Sequence, residues 1–129
     1  MLPEIPILRL GKEYQNLDLQ EVKAVATADP IARVSFANDG IVKSDLTRMD
    51  EARDVLRSMP TSELVEITKK AGECFLDDTL PLGSDGSTQS PDEYLQQLSA
   101  TSGLPHTLIR MNMQRLEFLY RRRAIQVAV

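Results

Sequence analysis

Two short stretches of alternating side chains, separated by the turn dipeptide Asp29-Pro30, constrain the fold of this chain more than any other feature. The first stretch covers residues 21–26 and the second covers residues 31–36, and both follow the two-residue period of a strand. Two such runs around a tight turn predict a β-hairpin with one buried face. Because an isolated hairpin is only marginally stable in water, this hairpin must pack against the rest of the chain.

The residues before this hairpin are also expected to be extended. Pro3 and Pro6 keep the residues before them out of the helical region, so residues 5–10 predict a short strand. Gly11-Lys12 is a turn signal, and residues 13–15 are expected to return as a second short strand. The sequence therefore predicts an extended and hairpin region over residues 1–37.

From residue 44 onward the apolar spacing is helical. Ser44 is predicted to be the N-cap of a first helix that Pro60 ends, and Thr61 or Ser62 is predicted to cap a second helix. Their connection is short, so the two helices are expected to be neighbours. The first apolar stripe is Leu46, Met49, Ala52, Arg53 and Leu56, with Met59 near its end, and the second is Leu64, Ile67, Ala71, Cys74, Phe75 and Asp78.

Two further helices follow a predicted loop over residues 79–89. The third begins with Ser90 as N-cap and Glu93 completing a capping box, and Gly103 is predicted to end it as a left-handed cap. Pro105 opens the fourth helix, which is apolar on more than one face and therefore needs partners on both sides. The third helix is expected to bury Tyr94, Leu95 and Leu98, and the fourth carries Leu108, Ile109, Asn112, Leu116 and Leu119, widened by Met111, Met113 and Phe118.

These patterns predict an α+β and mainly helical protein, with N-terminal β-hairpins followed by about four helices. The 129 residues fit a single domain or a domain fragment, divided into an extended region (1–37) and a helical region (44–129). The net charge of −4 and the pI near 5.0 argue against nucleic acid or an anionic membrane as a partner. The single cysteine and the absence of a secretory pattern or a long apolar run predict a cytoplasmic protein.

Basic residues gather near the end of the chain. They admit two interpretations, a solvated helix end whose cations face the negative end of the dipole, or an anion-binding or subunit-contact patch. The residues are Arg110, Arg115, Arg121, Arg122 and Arg123.

No catalytic, cofactor-binding or metal-binding residue is predicted from the motifs. His106 is the only histidine and is expected to have a structural or solvent role, and Cys74 on its apolar stripe is expected to be a small buried hydrophobe. Gly83 and Gly86 lie two residues apart without the strand and helix that a phosphate cradle needs, so they predict a surface loop. The acidic clusters at Asp77-Asp78 and at Asp45 with Asp50-Glu51 lack the alternating oxygen ligands of a calcium loop and are expected to be solvated helix ends.

The order of several segments resembles the N-terminal region of the aldehyde dehydrogenase superfamily. The likeness is carried by the strand at residues 30–37, the Ala52-Arg53 pair, the helix at residues 64–76, and the segments 89–95 and 98–106. It spans roughly residues 1–119 and is similar to a bacterial branch of the superfamily related to acyl-CoA reductases.

This resemblance implies an NAD(P)-dependent oxidoreductase acting on an aldehyde or acyl thioester, with a doubly wound α/β cofactor domain. The family's catalytic cysteine, activating glutamate and cofactor loop all lie downstream of the matched stretch, and Cys74 does not match that cysteine. The apolar residues 124–129 also form an unusual ending, so we expect a truncated chain. It would bind no cofactor alone, and its partner would be the remainder of the parent enzyme or another subunit.

A second hypothesis belongs to another class. A self-standing helical interaction module without enzymatic activity would use the two-sided apolar last helix to dock a partner. A homo-oligomer is compatible with both hypotheses.

Overall fold

The computed structural model describes residues 2–83 and 86–121, and within them the chain is α+β and roughly half helical. The strands are β1 (Glu4–Ile5), β2 (Ile7–Arg9), β3 (Lys12–Tyr14), β4 (Leu19–Lys23), β5 (Pro30–Ser35), β6 (Leu80–Pro81) and β7 (Thr88–Gln89). The helices are α1 (Asp39–Leu46), α2 (Met49–Ser58), α3 (Thr61–Asp77), α4 (Pro91–Ser102) and α5 (His106–Arg121). The expected α+β class is confirmed.

The predicted central hairpin is formed by β4 and β5, which pair antiparallel with Val22 opposite Ala32. Its turn is wider than the expected dipeptide, because residues 24–29 form a loop in which the Ala24 N–H donates to the Asp29 carbonyl at 2.9 Å. Ala28 takes a left-handed conformation with φ of 62°, and Pro30 begins β5 instead of lying in the turn.

The expectation that this hairpin buries only one face is wrong. Strand β1 adds to it in parallel, with Glu4 opposite Arg33, so β5 is the central strand of a three-stranded sheet. Ala32 and Ser35 lie on opposite faces of β5, and both are buried. As the central strand, β5 has a neighbouring strand along each edge. The hairpin predicted from the sequence has only two strands and does not include β1.

The first predicted strand pair is confirmed as β2 and β3, an antiparallel hairpin in which Ile7 lies opposite Tyr14. Its two-residue turn places both Leu10 and Gly11 at positive φ, 48° and 76°. Turns of this kind match the right-handed twist of the flanking strands.

The prediction that Ser44 caps the first helix is wrong. Helix α1 begins at Asp39 with Asn38 as its N-cap, whose side-chain oxygen accepts a hydrogen bond from the Ile41 N–H at 3.0 Å. Ser44 lies inside α1, and the helical region begins at Asp39. The helix then breaks at Thr47, whose hydroxyl donates to the Ser44 carbonyl at 2.7 Å, before α2 begins at Met49.

Helix α3 also differs from expectation. It begins at Thr61 after Pro60, and neither Thr61 nor Ser62 acts as the N-cap. It packs on α5 rather than on α2, although only Met59 and Pro60 separate α2 from α3. The buried Gly72 marks its inner face, whereas Ile67 of the predicted stripe is about half exposed.

The capping prediction for α4 is confirmed. The Ser90 hydroxyl oxygen accepts from the Glu93 N–H at 3.3 Å, and the Glu93 carboxylate accepts from the Ser90 N–H at 2.7 Å. Gly103 ends the helix at φ of 73°. The predicted loop before α4 contains a minimal hairpin, because β6 pairs with β7 and Leu80 lies opposite Gln89.

The core lies where α3, α4 and α5 meet. Leu95, Ile109 and Met113 are buried there, and Phe75 meets Tyr94 edge to face at 5.3 Å between ring centroids. The predictions for Leu95 and Ile109 are confirmed. Met113 was expected only to widen the stripe of α5 but is part of the core, whereas Asn112, Leu116 and Leu119 of the expected stripe are exposed.

Candidate functional site: the exposed apolar face of α2

Helix α2 divides its side chains cleanly between two faces. At 100° per residue, Met49, Ala52, Val55 and Leu56 fall on one arc of about 120°, and we call these four residues the α2 apolar face. The helix forms because this apolar spacing and its good helix formers agree, and it ends before Pro60.

The opposite face of α2 is charged and is satisfied locally. Arg53 pairs with Asp50 at 2.8 Å, and Arg48, just before the helix, pairs with Glu51 at 3.3 Å. Exposed pairs three residues apart contribute a few tenths of a kcal/mol at most. These charges pair with one another and contribute little to stability. The apolar face is therefore the distinctive feature of α2.

The α2 apolar face is largely exposed to solvent. Met49 is 53% exposed, Val55 61% and Leu56 56%, while Ala52 is half-buried. Helix α2 contains no fully buried residue. Single exposed apolar residues are ordinary, whereas several large ones on one side of a helix form a candidate binding surface.

Helices α1 and α5 also expose large apolar side chains. Val42 and Leu46 of α1 are exposed, and α5 exposes Met111 and Leu119 in addition to the side it buries in the core. The prediction that the last helix is apolar on more than one face is therefore confirmed. The described surface is richer in large apolar side chains than the core is.

A second feature lies beside α1, where Arg9 of β2 meets Asp45. The Arg9 Nε and Nη2 atoms donate to the two carboxylate oxygens of Asp45 at 2.9 and 2.7 Å, and the guanidinium lies 4.7 Å from the centre of the Tyr14 ring. This hydrogen bonding lowers the pKa of the Asp45 carboxyl and raises the pKa of Arg9. Lys12 and Arg48 line the same open groove of about 390 Å³.

The sequence did not predict this cluster. Asp45 was grouped with Asp50 and Glu51, but the structure gives each carboxylate a separate arginine partner. A signal was present, since Asp45 lies between the positions of Ile41 and Leu46 on the helical wheel. A carboxylate among apolar positions needs a cation or hydrogen-bond donors when it is partly buried.

Cys74 is half-buried on α3 and is not a candidate nucleophile. A hydrogen bond to Asp78 is the main reason that the pKa of its thiol is raised, with partial burial adding to the effect. A raised pKa keeps the sulfur in the unreactive thiol form.

His106 is exposed at the start of α5. Among residues 2–83 and 86–121, no three His, Cys, Asp or Glu side chains are grouped as a metal site would require.

The glycine-containing loop has a packing role at one end. A Cβ on Gly83 would lie 2.9 Å from the Glu4 carbonyl oxygen, so this glycine allows the β6–β7 hairpin to approach the N-terminal strand. Gly86 adopts φ of 83° in open space. Ser84 and Asp85 lie outside the described residues.

The basic residues near the end of α5 are only partly described. Arg110 pairs with Asp92 of α4 at 3.2 Å, and both side chains are exposed. Helix α5 extends to Arg121, while Arg122, Arg123 and the tail 124–129 lie outside the described residues. The two interpretations of the basic run both stay predictions.

The described residues thus define a small α+β protein whose most distinctive surface is an exposed amphipathic helix. Within the described part of the chain, no helix combines the length and apolar character needed to cross a bilayer. Comparisons with protein-family models, with curated proteins and with solved structures found no match. The resemblance to aldehyde dehydrogenases stays a prediction.

Proposed function

We propose that this chain is a protein-docking unit that binds another polypeptide through the α2 apolar face. The observation that carries the proposal is the exposure of Met49, Val55 and Leu56 on one side of a helix whose other side is charged. Helices of this kind bind by laying their apolar stripe into an apolar groove of a partner. The partner is therefore expected to offer a groove lined by aliphatic or aromatic side chains.

Burying the α2 apolar face against a partner would contribute measurably to the free energy of binding. Fully burying a Val, Leu or Met side chain contributes about 1.5–3 kcal/mol, so side chains that are already half covered would each add about 1 kcal/mol. Three such residues would contribute about 3 kcal/mol, before the cost of association. This is enough to support docking within one assembly, and a free partner would need further contacts, such as the exposed apolar residues of α5.

Site-specific photo-crosslinking tests the proposal. A photoreactive amino acid replaces Leu56 on the apolar face or, as the matched control, Arg57 on the charged face of the same helix. We expect a discrete crosslinked polypeptide from position 56 and not from position 57. The crosslink should disappear when Val55→Glu is added. Equal crosslinking from both positions, or none from position 56, would contradict the proposal.

In a second candidate function, the docking partner is the remainder of the enzyme to which this chain belongs. In this version the chain is the N-terminal part of an NAD(P)-dependent aldehyde dehydrogenase-like oxidoreductase acting on an aldehyde or acyl thioester, and it neither catalyses nor binds cofactor alone. The support is the order of elements, since the β4–β5 hairpin, a helix with Ala52-Arg53, helix α3 and the capped α4 follow one another as the resemblance implies.

The coding sequence downstream of codon 129 tests this second candidate. A glycine-rich cofactor loop and a cysteine, in frame or in a shifted frame, would support it. Unrelated sequence in every frame would reject the enzyme and leave the docking unit standing.

A further inference from the structure

Helices α1 and α2 together form a segment, residues 39–58, that we call the α1–α2 arm. Neither helix contains a fully buried residue, whereas α3, α4 and α5 pack around the core. The ion pairs within the arm, Arg48–Glu51 and Arg53–Asp50, are three residues apart and hold nothing outside it. Apolar packing therefore explains little of how the arm is positioned.

The Arg9–Asp45 contact joins the arm to a distant part of the chain. It links β2 to α1 across 36 residues of sequence, and both side chains are partly buried. Two parallel hydrogen bonds between a guanidinium and a carboxylate fix the relative orientation as well as the distance, which a single point contact cannot do.

The β2–β3 hairpin is built to hold this arginine. Tyr14 of β3 lies under the guanidinium of Arg9, so the ring restricts the plane in which the arginine can present its donors. The tight turn at Leu10-Gly11 fixes the two strands against each other. Asp45 thus meets an arginine whose orientation is set by the hairpin and not by the arm.

We propose that the Arg9–Asp45 contact is the device that fixes the α1–α2 arm to the β2–β3 hairpin, and that breaking it releases the arm while the α3–α5 core stays folded. This inference rests on the proposed function only in that the arm carries the α2 apolar face. The contact places that face at a defined orientation, and its opening turns a fixed docking surface into a mobile one.

Hydrogen exchange measured by mass spectrometry on the full chain tests the release directly, without any partner. In Arg9→Ala and Asp45→Asn we expect exchange across residues 39–58 to quicken about tenfold, because the opening of a weakly packed segment is then opposed by fewer contacts. Residues 91–113 should exchange as in the wild type. Arg9→Lys keeps the charge but loses the paired hydrogen bonds, so it should give an intermediate rate.

Arg110→Ala is the matched control, since it removes another arginine–aspartate pair that lies outside the arm. It should leave residues 39–58 unchanged. The exchanged pair Arg9→Asp with Asp45→Arg should restore part of the protection. Wild-type exchange of the arm in Arg9→Ala and Asp45→Asn, or faster exchange of residues 91–113 as well, would overturn the inference. Because no partner takes part, failure here is separate from failure of the crosslinking experiment.

Discussion

Gly72 of α3 lies so close to Tyr120 of α5 that a Cβ added to the glycine would be 2.7 Å from the Tyr120 Cβ. The absence of a side chain at residue 72 allows the two helices to meet, at a point where helical propensity alone would favour alanine. Every residue except glycine keeps a Cβ at position 120, so shortening the tyrosine to alanine would not make room.

Gly72→Ala is therefore expected to destabilise the protein although alanine is the better helix former. The gain in propensity is about 1 kcal/mol, and overpacking costs about 1–3 kcal/mol, so we expect a net loss of about 1 kcal/mol. Urea denaturation measures the loss, and hydrogen exchange should show the last turn of α5 separating from α3. Ala71→Ser at the exposed neighbouring position should change stability by less than about 0.5 kcal/mol. A more stable Gly72→Ala variant would contradict this packing.

The core depends on a single well-buried isoleucine. Ile109 is 1% exposed and contacts a cluster that includes Leu95 and Met113. Ile109→Ala is expected to cost about 2–5 kcal/mol, because it removes buried methyl groups and leaves a cavity. Leu119→Ala on the same helix changes an exposed side chain and serves as the comparison. Equal losses for the two variants in urea denaturation would mean that the core is not where the structure places it.

The capping box of α4 predicts a stability that weakens in acid. Hydrogen bonds from the Ser90 backbone and hydroxyl lower the pKa of Glu93 below its ordinary value of 4.5. A lowered folded-state pKa adds stability that is fully present above the ordinary value and is lost as the pH falls through the folded value. Ser90→Ala should cost about 1 kcal/mol near neutral pH. In Glu93→Ala, which removes the carboxylate that accepts both bonds, the difference from wild type in denaturation midpoint should shrink below pH 4.5, and a constant difference would argue against the reciprocal cap.

Cys74 is expected to react slowly with alkylating agents at neutral pH. Its thiol donates to Asp78, and this carboxylate raises the thiol pKa. Asp78→Asn removes the negative acceptor, so the pH at which iodoacetamide labelling becomes half-maximal should fall. Asp77→Asn, a change at the neighbouring residue, should leave that pH close to the wild-type value. Mass spectrometry of the labelled peptide measures both, and no difference between the variants would disprove the hydrogen bond.

Local signals predicted the elements whose causes are local. The β4–β5 hairpin follows from the alternation of its two strands, and the Ser90 to Gly103 limits of α4 follow from capping chemistry within a few residues; the structure has both. The Asn38 cap of α1 is also local chemistry, but the cap was predicted at Ser44. Asparagine and serine are almost equally good caps, so propensity could not choose between them.

Contacts between distant residues were not predictable in this way. The periodicity of α3 fitted a stripe through Ile67, but its inner face is set by the approach of α5 at Gly72. The pairing of Arg9 with Asp45 depends on a tertiary fold that places β2 beside α1. The stripe predicted for the α2 region included Arg53, which pairs with Asp50 on the charged face, and omitted Val55, which is exposed on the α2 apolar face. Its periodicity also did not show that this side of the helix is left uncovered.

The parallel pairing of β1 with β5 imposes an order on strand pairing during synthesis. Glu4 leaves the ribosome long before its partner Arg33, whereas the two strands of the β4–β5 hairpin are close in sequence and meet first. Contacts at larger sequence separation form later because loop closure costs more entropy. We therefore expect the first residues of a nascent chain to stay unpaired until the hairpin exists, and a bulky fusion before Met1 would act on that late step of folding.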